Sequence, residues 1–386
     1  MEDQGDRRNA QLSQLVRDSG LRSLTMVAWR DLDDPEAGGS ELHAHRIATR
    51  WAAAGLDLTM RTSHVANAPE EVTRDGYRSI RKHGRYAVFP HVMAEGFARR
   101  STSDSAVVEI WNGMPFLSPI WHRGPKLIFL HHVHADMWDM VLSPKLARGG
   151  KAVESSLAPP LYKRSTIATL SESSRQEIID MLGIPPLQVH VIAPGVEERF
   201  TPGGTLSPSP KDVAVGRLVP VKRFDVLIRE LVATREFVPD LTATIIGEGY
   251  ERSALESLRD SLGASDWISL PGRLSDDEQL AAYRSAWVVA STSAREGWGM
   301  TLTEAAACGT PSVATDIAGH QDAVRHGTSG LLVGSDELFS RVLANILTDS
   351  QLREKLSAGA LAYAKELSWD SAALRTFSLL AATTTS

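Results

Sequence analysis

The sequence predicts an α/β protein of two Rossmann-like, doubly wound halves, near residues 24–195 and 211–368, with a deep cleft between them. Short apolar runs read as buried parallel strands, and each is followed by a turn and a helical pattern. The unit of strand, glycine turn and helix recurs in both halves. A Pro/Gly/Ser-rich run from 202 to 210 separates them.

A chain of 386 residues is long enough for two hydrophobic cores. Its net charge of −6 gives no support to nucleic-acid binding. Cys308, the single cysteine, excludes an intrachain disulfide and fits a reducing compartment. No apolar run approaches the ~18 residues of a spanning helix, and residues 1–20 are polar and charged rather than signal-like. The expectation is a cytoplasmic protein, with peripheral attachment to the inner membrane face left open.

Residues 1–23 carry mixed charge and little apolar content, which predicts a frayed or weakly helical leader. The first domain spans 24–200. Its first strand, Leu24–Trp29, leads through a loop to Gly38-Gly39, and a helix then runs to Ala54, stopped by Gly55. Two glycines ahead of a helix let backbone N–H groups approach an anion closely. Asp31-x-Asp33 in that loop has the form of a metal–diphosphate grip, but it precedes the glycine turn and reads as an exposed acidic loop. Leu56–Thr62 is a strand by its alternation. From 63 to 105 the chain reads as loop-rich, with Tyr86–Pro90 as a candidate strand. Ser105–Trp111 is a clear strand that ends at Asn112, placed there for an acceptor contact or for a turn.

Lys126–Leu130 is the next strand and delivers His131, His132 and His134. Zinc is disfavoured, because no Cys–His spacing supplies the remaining ligands. Residues 145–164 interleave Lys145, Arg148, Lys151, Lys163 and Arg164 with leucines, either a solvated basic surface or a peripheral membrane contact. Ser165–Ser171 is a strand, Glu172 opens a helix ending before Gly183, and Val189–Pro194 completes the first half. The second domain, 211–368, starts with a strand from Lys211 into a turn at Gly216, with Arg217 and Lys222 flanking the strand end. Thr242–Ile246 runs into Gly247-Glu-Gly249, and Trp267–Gly272 precedes Leu274 and a helix carrying Tyr283. A last helix covers about 369–382.

The chemistry is densest after the apolar run Ala286–Ala290. There Glu296-Gly297-Trp298-Gly299 forms a strand-to-helix turn, and Met300 to Cys308 is a helix stopped by Gly309 and Pro311. Backbone amides from Gly297 to Met300, with Thr301 in the first helical turn, make an anion cradle at the carboxyl end of a strand. Glu304 lies about two turns along the helix, too far to cap it. A carboxylate beside a phosphate cradle suits sugar hydroxyls. The bland alternative is a tight turn followed by a solvated glutamate.

These residues resemble the signature of the retaining GT-B glycosyltransferases of family 4, also called group 1. That pattern is a glutamate, Gly-Phe-Gly, a second glutamate after seven intervening residues, then Ala-x-Ala-Cys-Gly-x-Pro; here Trp298 replaces the usual aromatic. Val313–Asp322 and Gly327–Val333 continue the match, and weaker similarity extends from about 24 to 375. The resemblance implies two Rossmann-like domains, with the helix near 369–382 crossing back onto the first. It implies that Gly38 and Gly39 face donor diphosphate and acceptor, that Arg217 and Lys222 grip the diphosphate, and that Leu274 lies near the base. Gly216, Gly247, Gly249, Glu296 and Glu304 complete the implied donor site, with Glu296 on a sugar hydroxyl and Glu304 on the ribose. The related run of His, six residues, then Trp selects His131 beside the reactive carbon, with His132 and His134 as rivals and as acceptor contacts beside Asn112.

The expected activity is therefore transfer of a sugar from a nucleotide-sugar, such as a UDP- or GDP-sugar, to an acceptor hydroxyl. No carboxylate stands out as a covalent nucleophile, and the resemblance implies retention by same-face attack. Fixed positive charge at Arg217, Lys222 and the cradle predicts that no divalent metal or other cofactor is needed. A dehydrogenase would require Gly-x-Gly-x-x-Gly, and only Gly-Glu-Gly is present. A glycosidase using Glu296 and Glu304 would leave Arg217 and Lys222 without purpose. A sugar-nucleotide epimerase and a non-catalytic nucleotide-sugar-binding protein remain alternatives.

Overall fold

The computed structural model describes residues 2–99, 102–135, 137–141 and 143–384, so Met1 of the expected leader lies outside the described residues. The chain forms two compact units, Met1–Gly195 with Ser368–Ser386, and Val196–Leu367. Each is organised around its own sheet.

In the first unit the strands are β1 (Ser23–Val27), β2 (Asp57–Thr62), β3 (Glu71–Arg74), β4 (Tyr77–Arg81), β5 (Ser105–Trp111), β6 (Lys126–Leu130), β7 (Ile167–Thr169) and β8 (Val189–Val191). Their order is β3-β4-β2-β1-β5-β6-β7-β8, and every pairing is parallel except the β3–β4 hairpin. β1 lies between β2 and β5, with Leu24 opposite Leu58 and Ala106. A strand paired on both sides and buried on both faces reads as a continuous apolar run, which is why β5 and β6 were legible to the residue. The helix Gly39–Ala53 buries Ala44, Ile47, Ala48 and Trp51. The final helix, Trp369–Ala382, lies against it, with Trp51 donating Nε1–H to the Ala373 carbonyl at 3.0 Å and Arg50 pairing with Asp370 at 2.6 Å.

Three expectations are corrected here. The leader is no frayed segment: Glu2–Asp18 is a helix that buries Leu12 and Val16 and packs on Trp369–Ala382. Tyr86–Pro90 is not a strand but the entry to a helix, Val88–Ala98. Pro90 sits in its first turn, where a missing N–H breaks no intrahelical bond. The stretch from 63 to 105 is not mostly loop, since it contains β3, β4 and this helix. Asp75 and Gly76, at φ 44° and 89°, make the tight turn between β3 and β4.

The second unit holds β9 (Lys211–Val215), β10 (Thr242–Ile246), β11 (Ile268–Gly272), β12 (Val288–Ser291), β13 (Ser312–Thr315) and β14 (Gly330–Val333). The order is β11-β10-β9-β12-β13-β14, all parallel. Helices Phe224–Arg235 and Phe339–Thr348 bury Leu227, Ile228, Leu231, Leu343 and Ile346 against one face. Phe200, Tyr283, Leu302 and Ala305 fill the other. Asp212, on central β9, is fully buried within this apolar surround.

Candidate functional site

In the second unit the turn after β12 gathers several of the expected residues. Lys222 Nζ lies 2.5 Å from Glu296 Oε1, and Ser293 Oγ–H donates to the same oxygen at 2.7 Å. Burial alone would raise the Glu296 carboxyl, but the Lys222 and His320 charges outweigh it and bring it down to about 2. Glu296 is thus an ionised group held against a cation. Behind it stands His320, fully buried, with Nδ1 2.9 Å from the Thr315 carbonyl and Nε2 3.3 Å from Ser291 Oγ.

Gly299, at φ 117°, begins the helix Met300–Ala307 without a side-chain cap. A Cβ there would meet Leu302 at 3.2 Å and His320 at 3.3 Å. Gly319 packs still closer, its hypothetical Cβ 2.5 Å from the Glu296 carbonyl. The turn is therefore shaped by glycine on both sides, and no side chain caps the helix start that follows it. Met300 and Thr301 are half-buried in the first turn, while Trp298 is buried with no hydrogen-bond partner for its indole N–H.

Gly216 lies near Lys222, 3.6 Å from its Cδ by the same measure, and Arg217 is half-buried beside it. Gly247 and Gly249 have a different reason to be glycine. A Cβ on Gly247 would sit 1.8 Å from the Gly216 carbonyl oxygen, and one on Gly249 2.2 Å from that of Leu218. The loop after β10 lies across the loop after β9, backbone on backbone, and the glycines make that crossing possible. Leu274 is half-buried and packs against the core cluster around Tyr283.

Glu304 belongs to a separate network from Glu296. Its Oε2 accepts from the Tyr283 hydroxyl at 3.0 Å and from Gln279 Nε2 at 3.3 Å. Burial pushes its carboxyl up to about 7, opposed by the Tyr283 hydrogen bond.

The first unit brings Gly38, Gly39, Asn112 and His131 to the carboxyl ends of β1, β5 and β6. The Gly38 N–H donates to Glu41 Oε2 at 2.8 Å, Ser40 Oγ–H donates to that oxygen at 2.9 Å, and Asn112 Nδ2 donates to Ser40 Oγ at 3.1 Å. Arg30 closes the network on Glu41 Oε1 at 3.0 Å. Asn112 therefore spends an amide proton on fixing this turn.

The histidines separate into two groups. His131 points inward: its Nε2 is 3.2 Å from Nδ1 of His43, its ring stacks with Phe129, and its Nδ1 has no partner. Burial lowers its pKa to about 4, against an opposing pull from Glu41, so the ring is neutral near pH 7. His132 and His134 stack on each other at 4.8 Å, with Trp138 beyond. Buried Glu154 holds this loop by accepting from the His134 and Ala135 amides and from Trp138 Nε1, at 2.8, 3.1 and 2.9 Å. Sequence reasoning missed His43 and Glu154. Nothing local marks Glu154, whereas His43 lies on the helix that the glycine turn opens.

The acidic loop is corrected. Asp31 is fully buried, not exposed, accepting from Ser79 Oγ at 2.6 Å and pairing with Arg81 at 3.0 Å and Arg74 at 3.4 Å. Asp33 pairs with Arg74 and Arg81 as well. Two guanidinium groups occupy the side where a cation would bind. Among the described residues no three His, Cys, Asp or Glu side chains converge as a metal site.

Residues 37–200 match the family described as Glycosyltransferase Family 4, and residues 203–362 the family described as Glycosyl transferases group 1. The D-inositol 3-phosphate glycosyltransferase of Thermobifida fusca (strain YX) is 32% identical over 408 residues, covering 93% of this chain and 92% of that protein. The protein of the same name from Thermobispora bispora is 31% identical over 399 residues, covering 89% and 90%. Among solved structures, sucrose-phosphate synthase from Thermosynechococcus elongatus matches with a TM-score of 0.77 at 19% identity, over 93% of this chain and 98% of that one. Anabaena HepE, in complex with UDP and glucose, matches with a TM-score of 0.72 at 18% identity, over 94% and 100%.

Proposed function

The chain belongs to glycosyltransferase family 4 (group 1) and has the GT-B fold, and on that premise we propose that it transfers a sugar from a nucleoside-diphosphate sugar to an acceptor hydroxyl, with retention and without a divalent metal. The observation that carries this reading is the Lys222–Glu296 pair at the glycine-shaped start of the helix Met300–Ala307. It sets a cation and its paired carboxylate beside a helix N-terminus that no side chain caps. A diphosphate drawn to the amides competes with Glu296 for Lys222, and the freed carboxylate accepts from a donor-sugar hydroxyl. As the glycosidic oxygen leaves, charge grows on the diphosphate, and Arg217, Lys222 and the helix amides stabilise it in place. Neutral His131 is assigned to a sugar hydroxyl near the reactive carbon, with Glu304 on the ribose. HepE, solved with UDP-glucose, supports a nucleotide-sugar donor, and the named relatives make D-inositol 3-phosphate the first acceptor to assay.

The test is release of nucleoside diphosphate from a panel of nucleotide-sugars, with and without acceptor and excess EDTA, with product configuration read by NMR. Full activity in EDTA and a retained configuration are expected. Activity lost to chelator and restored by Mg²⁺ or Mn²⁺ overturns the metal-free part. Isomerised donor without transfer would identify an epimerase, and donor binding without turnover a non-catalytic protein.

No helix of the described residues is long and apolar enough to cross a membrane. Exposed Leu146, Leu157 and Leu161 beside Lys145, Arg148, Lys163 and Arg164 support a peripheral contact with anionic lipid, which cosedimentation with phosphatidylglycerol vesicles would detect.

A further inference from the structure

Glu304 has two unequal oxygens. Oε2 takes the hydroxyl of Tyr283 and the amide of Gln279, while among the described residues no donor reaches Oε1. The carboxylate stands five residues beyond Gly299, about 7–8 Å along a helix that rises 1.5 Å per residue. That separation suits a ligand whose phosphates meet the helix start and whose vicinal hydroxyls lie further along.

The group that holds Oε2 is itself immobile. Tyr283 is fully buried, its ring edge-on to Phe200 at 5.7 Å, and its carbonyl accepts from Thr310 Oγ1 at 2.7 Å. Gln279 stands one turn earlier on the same helix, Asp276–Ser285, whose start is fixed by the Ser275–Glu278 capping box, and its amide also reaches the Tyr283 oxygen at 3.4 Å. A phenylalanine would fill the Tyr283 ring position equally well. What the hydroxyl adds is a donor aimed at one oxygen of one glutamate.

We propose that Tyr283, supported by Gln279, is a positioning residue that fixes Glu304 with Oε1 presented to a vicinal diol, making the site discriminate a ribonucleotide from its 2′-deoxy counterpart. This rests on the nucleotide-sugar reading above. A glutamate free to rotate would collapse onto whatever hydroxyl remained and lose little when the second was missing. A carboxylate pinned through Oε2 cannot follow, so a missing hydroxyl leaves a desolvated acceptor unmatched. Sites built to bond a hydroxyl reject analogues that lack it for this reason.

Isothermal titration with UDP, GDP and their 2′-deoxy forms gives the preference as a ratio of dissociation constants. The wild type is expected to favour the ribonucleotide of its preferred base. Y283F should reduce that preference about tenfold, the size of one hydrogen bond, by weakening the ribonucleotide while leaving the 2′-deoxy form almost unchanged. A merely structural role would weaken both forms alike. Q279L, which leaves the buried ring in place, should shift the ratio the same way by a smaller factor, and it decides the matter if Y283F does not fold. An unchanged ratio in the folded variants, with the wild type discriminating, overturns the role of Tyr283 and leaves Glu304 on the ribose. No discrimination, or no nucleotide binding, by the wild type overturns the placement of Glu304 itself and the proposal with it.

Discussion

Replacing Asp212 by asparagine should change how the stability of the second unit depends on pH. Asp212 lies on β9 between β10 and β12, in register with Ala243 and Val288, and is fully buried. Burial raises its carboxyl from 3.8 to about 8; the Ala290 and Val213 amides pull it down only weakly, since neither oxygen completes a hydrogen bond. The folded chain thus keeps a proton that the unfolded chain releases above its ordinary pKa. Below pH 4 the two states bind the same number of protons and the residue adds no pH dependence. Above that, stability falls as pH rises, until the folded carboxyl also ionises near 8. At about 1.4 kcal/mol per pH unit, the loss between pH 4 and pH 7 is on the order of 4 kcal/mol. For a domain of this size that is roughly 10 °C in unfolding midpoint. Asparagine has nearly the same shape and no proton to lose, so the midpoint difference between D212N and wild type should grow steadily from pH 5 to pH 8 in calorimetry. A constant offset across that range would refute the reasoning, because a buried amide left unpaired shifts stability without any slope.

Removing Lys222 as alanine should lower turnover about a hundredfold by withdrawing one fixed charge from the leaving group. It also leaves Glu296 to the effect of burial, which raises its pKa, so the acid limb of the rate profile should move upward from a value near 2 into the measurable range. H131A should abolish most transfer while donor affinity measured by titration stays within about twofold, since one neutral side chain off the phosphates contributes little to ground-state binding; if H132A or H134A is the damaging change instead, the active histidine is misassigned. G247A should destabilise the second unit by at least about 2 kcal/mol, as its Cβ would overlap the Gly216 carbonyl, whereas G334A, with open space around it, should be neutral in the same thermal scan.

What could be read from the chain, and what could not, follows from how local the physics is. The helix Glu172–Leu182 was bounded correctly because Ser171 caps one end and Gly183, at φ 62°, ends the other. The Glu296–Gly299 turn was legible because a buried strand, two glycines and a helix must follow one another in sequence. Pro90 misled because a helix breaker and a first-turn proline look alike until the helix is seen. The β3–β4 hairpin carried a readable Asp75-Gly76 signal, masked by charged strands. Asp31, Glu109, Glu154 and Asp212 are the common failure. Asp31 reads as part of an exposed loop and nothing in the sequence singles out the other three, yet each is buried. For the first three the reason lies in distant donors, such as Tyr162 reaching Glu109 across 53 positions at 2.7 Å. His43 met His131 across 88 positions, beyond any local pattern.

The first unit is discontinuous in the chain. Its central helix Gly39–Ala53 relies on Trp369–Ala382 to receive the Trp51 indole proton, to pair with Arg50 and to cover the Trp51 ring with Phe377, 5.5 Å away. Gly195, where the chain leaves this unit, packs so closely on Trp369 that a Cβ would lie 2.1 Å from its backbone nitrogen. On the ribosome, residues 1–195 therefore emerge long before the segment that seals them, and at about 5–20 residues per second the wait approaches ten seconds or more. During that interval Trp51 and the face around it are open to water and to other chains. The half synthesised first is the half completed last, and its yield should respond to chaperones and to slower translation more than that of the contiguous second unit.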